Sequence, residues 1–137
     1  MELTVKPIGT GVQFEAEARG HKLICDQPQE NGGDDTGMTP PELMLASLGT
    51  CAAYYALQYL KSRSLPTDAL SIKVSAEKAQ QPARLASFRI DVEIPAIEDR
   101  HREGIKRAIA KCLIHNTLLH PPTVEVALHM LEPAVNG

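Results

Sequence analysis

The sequence predicts an α+β fold in which two main helices pack on a mostly antiparallel sheet. Three short N-terminal strands with tight turns come first, a long apolar helix follows, and the remaining order is strands, helix and strand. This order lacks the regular strand–helix alternation of a doubly wound parallel sheet. The 137 residues match the usual length of one domain, so we expect a single domain spanning residues 1–137.

The N-terminal strands are predicted by apolar side chains that alternate with polar ones, a pattern typical of a half-buried sheet. They cover residues 3–5, 12–18 and 23–25, with turns at 9–11 and 19–21. Connections this short favour antiparallel pairing. A loop rich in turn-forming residues then runs from Asp26 to Met38. Loops of this length are either functional or simple surface connections.

The first helix has clear start signals. Thr39 is the predicted N-cap, Pro40 takes the first helical position, and Glu42 lies three residues after the cap, as a capping box requires. The helix should end near Arg63. Residues 43–60 contain no charged side chain, but the Ser, Gly, Thr, Gln and Tyr residues among them favour a buried helix over a membrane span.

The second half of the chain is predicted to hold two strands, a helix and a final strand. The strands are expected at 72–76, 88–94 and 124–130, and the helix begins near Asp99. The apolar stripe of this helix consists of Ile105, Ala108, Ile109 and Cys112. One layer of sheet cannot cover the mostly apolar first helix on every side, so we expect a homodimer that encloses it.

Composition argues against several classes of partner. A formal charge of -3, only two Phe and no Trp provide neither the basic face nor the aromatic platform that nucleic-acid binding uses. The N-terminus lacks the basic and apolar regions of a secretory signal, and three cysteines do not make the even-numbered framework of a secreted domain. We expect a cytoplasmic protein without membrane association or a cofactor.

Two of the three cysteines lie on predicted helices. Cys51 is in the middle of the first helix, and Cys112 is the fourth member of the i, i+3, i+4, i+7 stripe of the second. If the two helices pack against each other, their thiols would come within reach of a disulfide. The alternative is that both are inert core residues, which is the usual state of free cysteine. Cys25 is assigned to the core.

The run from Met38 to Cys51 resembles the Pro-x-Glu-Leu-x-x-Ala-x-x-x-x-Cys helix start of the osmotically inducible protein C / organic hydroperoxide resistance family. Cys112 falls where that family has its second cysteine, and the strand order agrees on both sides. The resemblance therefore covers nearly the whole chain. Directly after Cys112 the well-studied peroxidases of the family have a Pro and a Ser, and this sequence does not. In this segment the chain resembles a less characterised branch of the family.

The resemblance implies an intertwined homodimer that reduces organic hydroperoxides at two sites on the subunit interface, with hydrogen peroxide as a further candidate substrate. Cys51 would be the peroxidatic thiolate, which becomes a sulfenic acid, and Cys112 would resolve it to a disulfide. A dithiol reductant, a lipoyl group in the family's peroxidases, would then restore both thiols.

The family also implies an Arg and a Glu that favour the thiolate, because an ordinary cysteine has a pKa of about 8.5. Arg19 is the candidate cation, with a solvated turn residue as the alternative. Glu42 is the candidate acid. It precedes Cys51 by about 13 Å along one helix and half a turn out of phase, so it acts either across a dimer interface or, as we prefer, only as a cap.

Two further alternatives remain open. His115, three residues after Cys112, would suit a metal site with Cys51 and His120, but the paired Cys and His spacing of structural zinc sites is absent from the sequence. We therefore expect no metal and interpret His115 as a cap on the last turn of its helix. The second alternative concerns function: a dimer of the same fold could bind a small apolar ligand in its cleft without any peroxidase chemistry.

Overall fold

The computed structural model describes residues 1–133 and confirms the α+β class. Its N-terminal strands are β1 (Thr4–Ile8), β2 (Gln13–Ala18) and β3 (His21–Cys25), which form an antiparallel sheet in the order β1–β2–β3. Phe14 lies opposite Cys25 in this sheet. The predicted meander is therefore confirmed. The loop that follows contains one 3-10 turn, Gln29–Asn31.

Helix α1 (Pro40–Ser62) begins as the sequence predicts, with Thr39 as N-cap and a complete capping box. Its fully buried residues recur every fourth position and form one narrow stripe. They are Leu48, Ala52, Ala56 and Leu60. The single chain therefore covers one side of α1 and leaves other apolar side chains of the helix open, such as Tyr54 at 57% exposure.

Strands β4 (Ser71–Ala79) and β5 (Arg84–Glu93) form a separate antiparallel hairpin that packs on α1. Gly49 permits the close approach, because a Cβ there would lie 2.9 Å from Cγ2 of Val74. Buried residues of α1 join Ile105 and Ile109 in one core cluster, against which Ile90 and Val92 of β5 pack. Two sheets thus stand where the sequence suggested one.

The predicted second helix is interrupted. Helix α2 (Arg102–Ile109) ends before Cys112, and a separate helix, α3 (Leu113–Leu119), begins after it. Cys112 is the N-cap of α3, with an extended ψ of 128° and a sulfur that accepts a hydrogen bond from the His115 backbone N–H. The prediction that Cys112 belongs to a helical stripe was wrong, since this side-chain bond to the backbone competes with continued helix.

The final strand predicted at 124–130 does not form within one chain. Its apolar side chains Val124, Val126, Leu128 and Met130 are 84–93% exposed. A strand needs a neighbour to satisfy its backbone N–H and C=O groups, and no strand of residues 1–133 pairs with this segment. Within the same residues, no helix has an apolar stretch long enough to cross a bilayer.

Candidate redox site

Cys51 and Cys112 form a disulfide bond, with their Cα atoms 5.7 Å apart. This separation is within the usual span of about 4.4–6.8 Å, so the predicted approach of the two thiols is confirmed. Cys51 is partly exposed on α1, whereas Cys112 is 0% exposed at the α2–α3 junction. The bond ties the centre of the long helix to the point where the second helical segment breaks.

A hydrogen-bond donor and an apolar cavity lie near the disulfide. At Cys112, the His115 backbone N–H lies 3.3 Å from the sulfur. This donor would stabilise negative charge on that sulfur once the bond is reduced. One helical turn from each cysteine, Leu48 and His115 line an apolar cavity of about 480 Å³, whose other wall includes Phe88 and Ile90.

Glu42 is held at the start of α1. Its carboxylate accepts hydrogen bonds from the Thr39 hydroxyl at 2.8 Å and from the Thr39 backbone N–H at 3.1 Å. These two bonds, the hydroxyl one first, lower the pKa of Glu42 below its ordinary value. The capping role that we preferred is confirmed within one chain.

Arg19 lies in the β2–β3 turn, with a φ of +53° and an exposed side chain. No hydrogen bond or ion pair joins that side chain to another residue in the part of the chain that the structure describes. The structure therefore brings the two cysteines together but does not connect Arg19 with them inside one chain. Its role as the candidate cation stays a prediction.

His115 lies in the first turn of α3, so its interpretation as a last-turn cap was wrong. His120 takes that place instead, with Nδ1 3.1 Å from the carbonyl oxygen of Asn116. Among residues 1–133, no group of three or more His, Cys, Asp or Glu side chains is arranged to hold a metal ion. Cys25 is a free, partly buried thiol on β3.

Asp26 is a residue that the sequence reasoning did not single out. It is only 1% exposed and accepts hydrogen bonds from the Thr36 hydroxyl at 2.7 Å, the Gln27 N–H at 2.7 Å and the Gln13 side chain at 3.3 Å. The bonds from Thr36 are the main cause of a pKa for Asp26 far below its ordinary value. An Asp ahead of a run of turn formers was the available signal, because such side chains bond nearby backbone.

Comparisons with known proteins agree with this architecture. An OsmC-like protein from Mycoplasma pneumoniae superposes with a TM-score of 0.73 at 20% identity, over 88% of this chain and 87% of that one. A candidate osmotic stress induced and detoxification response protein from Psychrobacter arcticus gives 0.75 at 17% identity, over 84% and 85%. An organic hydroperoxide resistance protein OsmC from Legionella pneumophila gives 0.55 at 17% identity, over 82% and 91%.

These structural likenesses, all at low identity, show the fold alone. A search of curated proteins finds no match. The sequence itself matches the family model described as OsmC-like protein over residues 32–127, well over half of the 137 residues. The chain therefore belongs to the OsmC family of OsmC-like proteins.

Proposed function

We propose that this chain is a thiol-dependent peroxidase that reduces organic hydroperoxides with Cys51 and Cys112. The disulfide carries the proposal, because it joins two cysteines 61 residues apart in sequence while Cys25 stays free. The partial exposure of Cys51 and the complete burial of Cys112 suit a first thiol that meets the substrate and a second that meets only the first.

The proposed reaction has three steps. The Cys51 thiolate attacks the terminal oxygen of the hydroperoxide, the O–O bond breaks, and the alkoxide leaves and takes up a proton as the alcohol. Cys51 is then a sulfenic acid. The Cys112 thiolate attacks that sulfur and expels hydroxide, which takes a proton to become water, and the disulfide forms. A dithiol reductant returns both thiols by thiol–disulfide exchange.

The hydrogen bond at Cys112 supports its resolving role. The His115 N–H donor favours the thiolate, which is the nucleophile in the second step. The same donor stabilises Cys112 as the leaving group when a reductant attacks the disulfide at the more accessible Cys51. One backbone group would thus assist both the formation and the reduction of the bond.

An apolar cavity whose lining includes Leu48 and His115, each three residues from a cysteine of the pair, supports an organic substrate over hydrogen peroxide. It has about 480 Å³ and is lined largely by Leu, Ile, Phe and Ala side chains of α1, β5 and α3. Burying the hydrocarbon part of a hydroperoxide there would contribute about 25 cal/mol for each Å² removed from water. Hydrogen peroxide has no such part, so this contribution favours bulky hydroperoxides. The name of the Legionella pneumophila relative agrees with this substrate class.

A homodimer is part of the proposal. Apolar side chains of β1–β3 and the first half of α1 line an open cavity of about 630 Å³, and residues 124–131 form neither helix nor strand. Both sheets have free edges, which are templates for a strand from another chain. A second copy would cover these surfaces. Within that dimer, Arg19 would be the cation that favours the Cys51 thiolate. The protein would act in the cytoplasm, as the sequence predicts.

The same 630 Å³ cavity favours a second candidate function. Its lining is almost entirely apolar and includes Phe14, Leu23 and Leu43, which suits a small apolar ligand held in the dimer cleft. In that case the cysteines only line the protein interior. A copurifying apolar ligand, released by organic extraction and identified by mass spectrometry, together with thiols that resist hydroperoxide, would favour this function.

Counting thiols after hydroperoxide challenge tests the peroxidase. The reduced chain has three thiols; cumene hydroperoxide should leave one, and peptide mass spectrometry should find the Cys51–Cys112 bond. Hydrogen peroxide should react at least about tenfold more slowly, which is a difference of about 1.4 kcal/mol in the barrier. Equal rates would overturn the organic substrate class but not the cysteine pair.

Three variants make the test specific. Cys112→Ser should stop at a Cys51 sulfenic acid, which dimedone traps, and Cys51→Ser should lose turnover. Cys25→Ser is the matched control, because it removes a thiol outside the pair and should keep full turnover. Retention of full turnover by Cys51→Ser would refute the mechanism.

A further inference from the structure

We propose that a basic groove between α1 and α2 binds a small organic molecule that carries two phosphate groups. The groove has a volume of about 550 Å³ and is lined by three cations, Arg63, Arg107 and Lys111. Its lining contains no Asp or Glu, although the chain as a whole has a net charge of -3. The groove therefore concentrates positive charge on an otherwise acidic protein.

The three groove cations have no carboxylate partner in the part of the chain that the structure describes. Neighbouring basic residues of α2 do have such partners: Arg102 pairs with Asp99 at 3.1 Å, and Lys106 pairs with Glu103 at 3.5 Å. The paired side chains do not line the groove. The charges of Arg102 and Lys106 are thus neutralised, whereas the charges of the three groove cations remain available to a ligand.

The cations are spread along the groove. Arg63 lies beyond the last turn of α1, whereas Lys111 lines the groove together with Tyr55, which is two turns earlier on α1. Eight residues of helix span about 12 Å, and Arg107 of α2 is four residues before Lys111, which follows the end of that helix. Inorganic phosphate would contact one part of this row, whereas two linked phosphate groups, as in pyrophosphate, would contact two neighbouring cations at once. An organic molecule with a phosphate group at each end would engage all of it.

Arg63 is held in place before any ligand arrives. Its guanidinium carbon lies 4.0 Å from the centre of the Tyr59 ring, and the Tyr59 hydroxyl lies 3.0 Å from Nδ1 of His101. His101 is only 9% exposed. Gly104 lets Tyr59 sit against α2, because a Cβ there would collide with the Tyr59 hydroxyl. Such preorganisation reduces the entropy lost when the guanidinium binds an anion.

The lining favours phosphate over other anions. Guanidinium groups match the oxygens of a phosphate with parallel N–H donors. Gln58 and Tyr55 add neutral donors to the groove, which suits groups with several acceptor oxygens. Since the lining lacks carboxylates, it offers no partner for the ammonium group of an amino acid or polyamine.

The lining of the groove is near the cysteine pair in sequence, since Tyr55 lies one turn after Cys51 and Lys111 immediately precedes Cys112. Binding there nevertheless needs no redox step and goes beyond the proposed peroxidase function. It can be measured without hydroperoxide, so a failure of one proposal leaves the other standing.

Isothermal titration calorimetry of the full chain at low ionic strength tests the groove with three probes: pyrophosphate, inorganic phosphate and citrate. Pyrophosphate should give saturable binding with one site per chain, at least about tenfold tighter than inorganic phosphate or citrate. Binding should weaken as salt is added, because the contacts are ionic.

Two double variants locate the site. Arg107→Gln with Lys111→Gln should weaken pyrophosphate binding at least about tenfold. Lys73→Gln with Lys78→Gln is the matched control, because it removes the same charge from exposed positions of β4 and should leave binding unchanged. Thermal unfolding without ligand checks that both variants are folded.

Three results would overturn the proposal. They are the absence of saturable pyrophosphate binding at millimolar concentration, equal weakening in the two double variants, and citrate binding as tight as pyrophosphate. With the first, the basic residues would serve only as charges near the C-terminal ends of α1 and α2. With the second, the attraction would come from overall charge, and with the third, the site would select carboxylates.

Discussion

The helical centre of the molecule and its outer strands contain equally regular apolar patterns, but one chain completes only the centre. Leu48 and Leu60 of α1 are at most 2% exposed. On the outer sheet, Leu3, Val5, Phe14 and Leu23 remain 40–58% exposed, and the apolar residues of 124–131 are more exposed still. The pattern thus shows which side chains need cover, but the cover itself comes from whichever chain lies opposite.

The largest expected effect is at the centre. Leu60 is 0% exposed in the core cluster, so Leu60→Ala should lower the free energy of unfolding by about 2–5 kcal/mol through lost burial and a residual cavity. Because one chain buries this side chain, the loss measured by urea denaturation should be the same at every protein concentration.

Leu23→Ala is the matched variant on the outer sheet. Leu23 is 42% exposed, so in a single chain its truncation should cost only about 1 kcal/mol. If a second copy covers this face, the cost should grow with protein concentration, since dimerisation then contributes to stability. A cost that is independent of concentration for both variants would mean that the outer sheet stays open.

The next effect concerns segment 124–131, which one chain leaves without a strand partner. Val126→Asp with Leu128→Asp places two charges on its predicted apolar face and should raise the dissociation constant of the proposed dimer at least about 100-fold, or about 2.7 kcal/mol. Size-exclusion chromatography with light scattering should then report a monomer. Ala127→Asp, on the opposite face, is the control and should leave the dimer intact. A wild-type protein that is monomeric at micromolar concentration would contradict the proposal that a second copy covers the outer strands.

Local patterns predicted most elements because their signals are local. The capping box of Thr39 and Glu42 and the period-two strands each depend on contacts between residues that are near in sequence. The strand at 124–130 has the same period, yet it is not formed, because pairing depends on a remote partner. Sequence periodicity reports a residue's preference for a face and cannot report whether that face is covered.

The candidate site was predictable to a similar extent. The approach of Cys51 and Cys112 was expected only if their predicted helices pack together. The break before Cys112 was not expected, since it depends on a bond between its sulfur and the His115 backbone. Asp26 was missed because its donors lie as far as 13 residues away. Long-range polar contacts of this kind leave little trace in local pattern.

Asp26 lies in the loop that connects β3 of the outer sheet to α1 of the helical centre, and its hydrogen bonds hold that loop. Asp26→Asn should lower the midpoint of thermal unfolding at pH 7 by about 5 °C. The pKa of this carboxyl is lower in the folded state than its ordinary value of 3.8, so its stabilising effect is present above about that pH and is lost as the pH falls below it. The gap between wild type and variant, measured by circular dichroism, should therefore narrow from pH 5 to pH 3.

That acid dependence has its own control. Asp68→Asn removes a carboxylate that is exposed and forms no hydrogen bond or ion pair among residues 1–133, and it should leave the midpoint unchanged at every pH. An Asp26→Asn gap that stays constant down to pH 3 would show that the side-chain shape, and not its charge, organises the loop.

The smallest expected effect is at Glu42, where the helical centre begins. Glu42→Gln keeps an oxygen that can accept from the Thr39 hydroxyl and backbone N–H, and Gln also fits a capping box. Glu42→Gln should therefore leave the free energy of unfolding unchanged and alter the rate of peroxide turnover by no more than about twofold. Thr39→Ala should lower the free energy of unfolding by about 1 kcal/mol and retain turnover. If Glu42→Gln instead slowed hydroperoxide reduction at least about tenfold without any change in unfolding, the carboxylate charge would be needed by the chemistry. Glu42 would then act on a cysteine of the other chain, because about 13 Å of helix separates it from Cys51 in its own, and the centre would prove as dependent on a second copy as the outer strands.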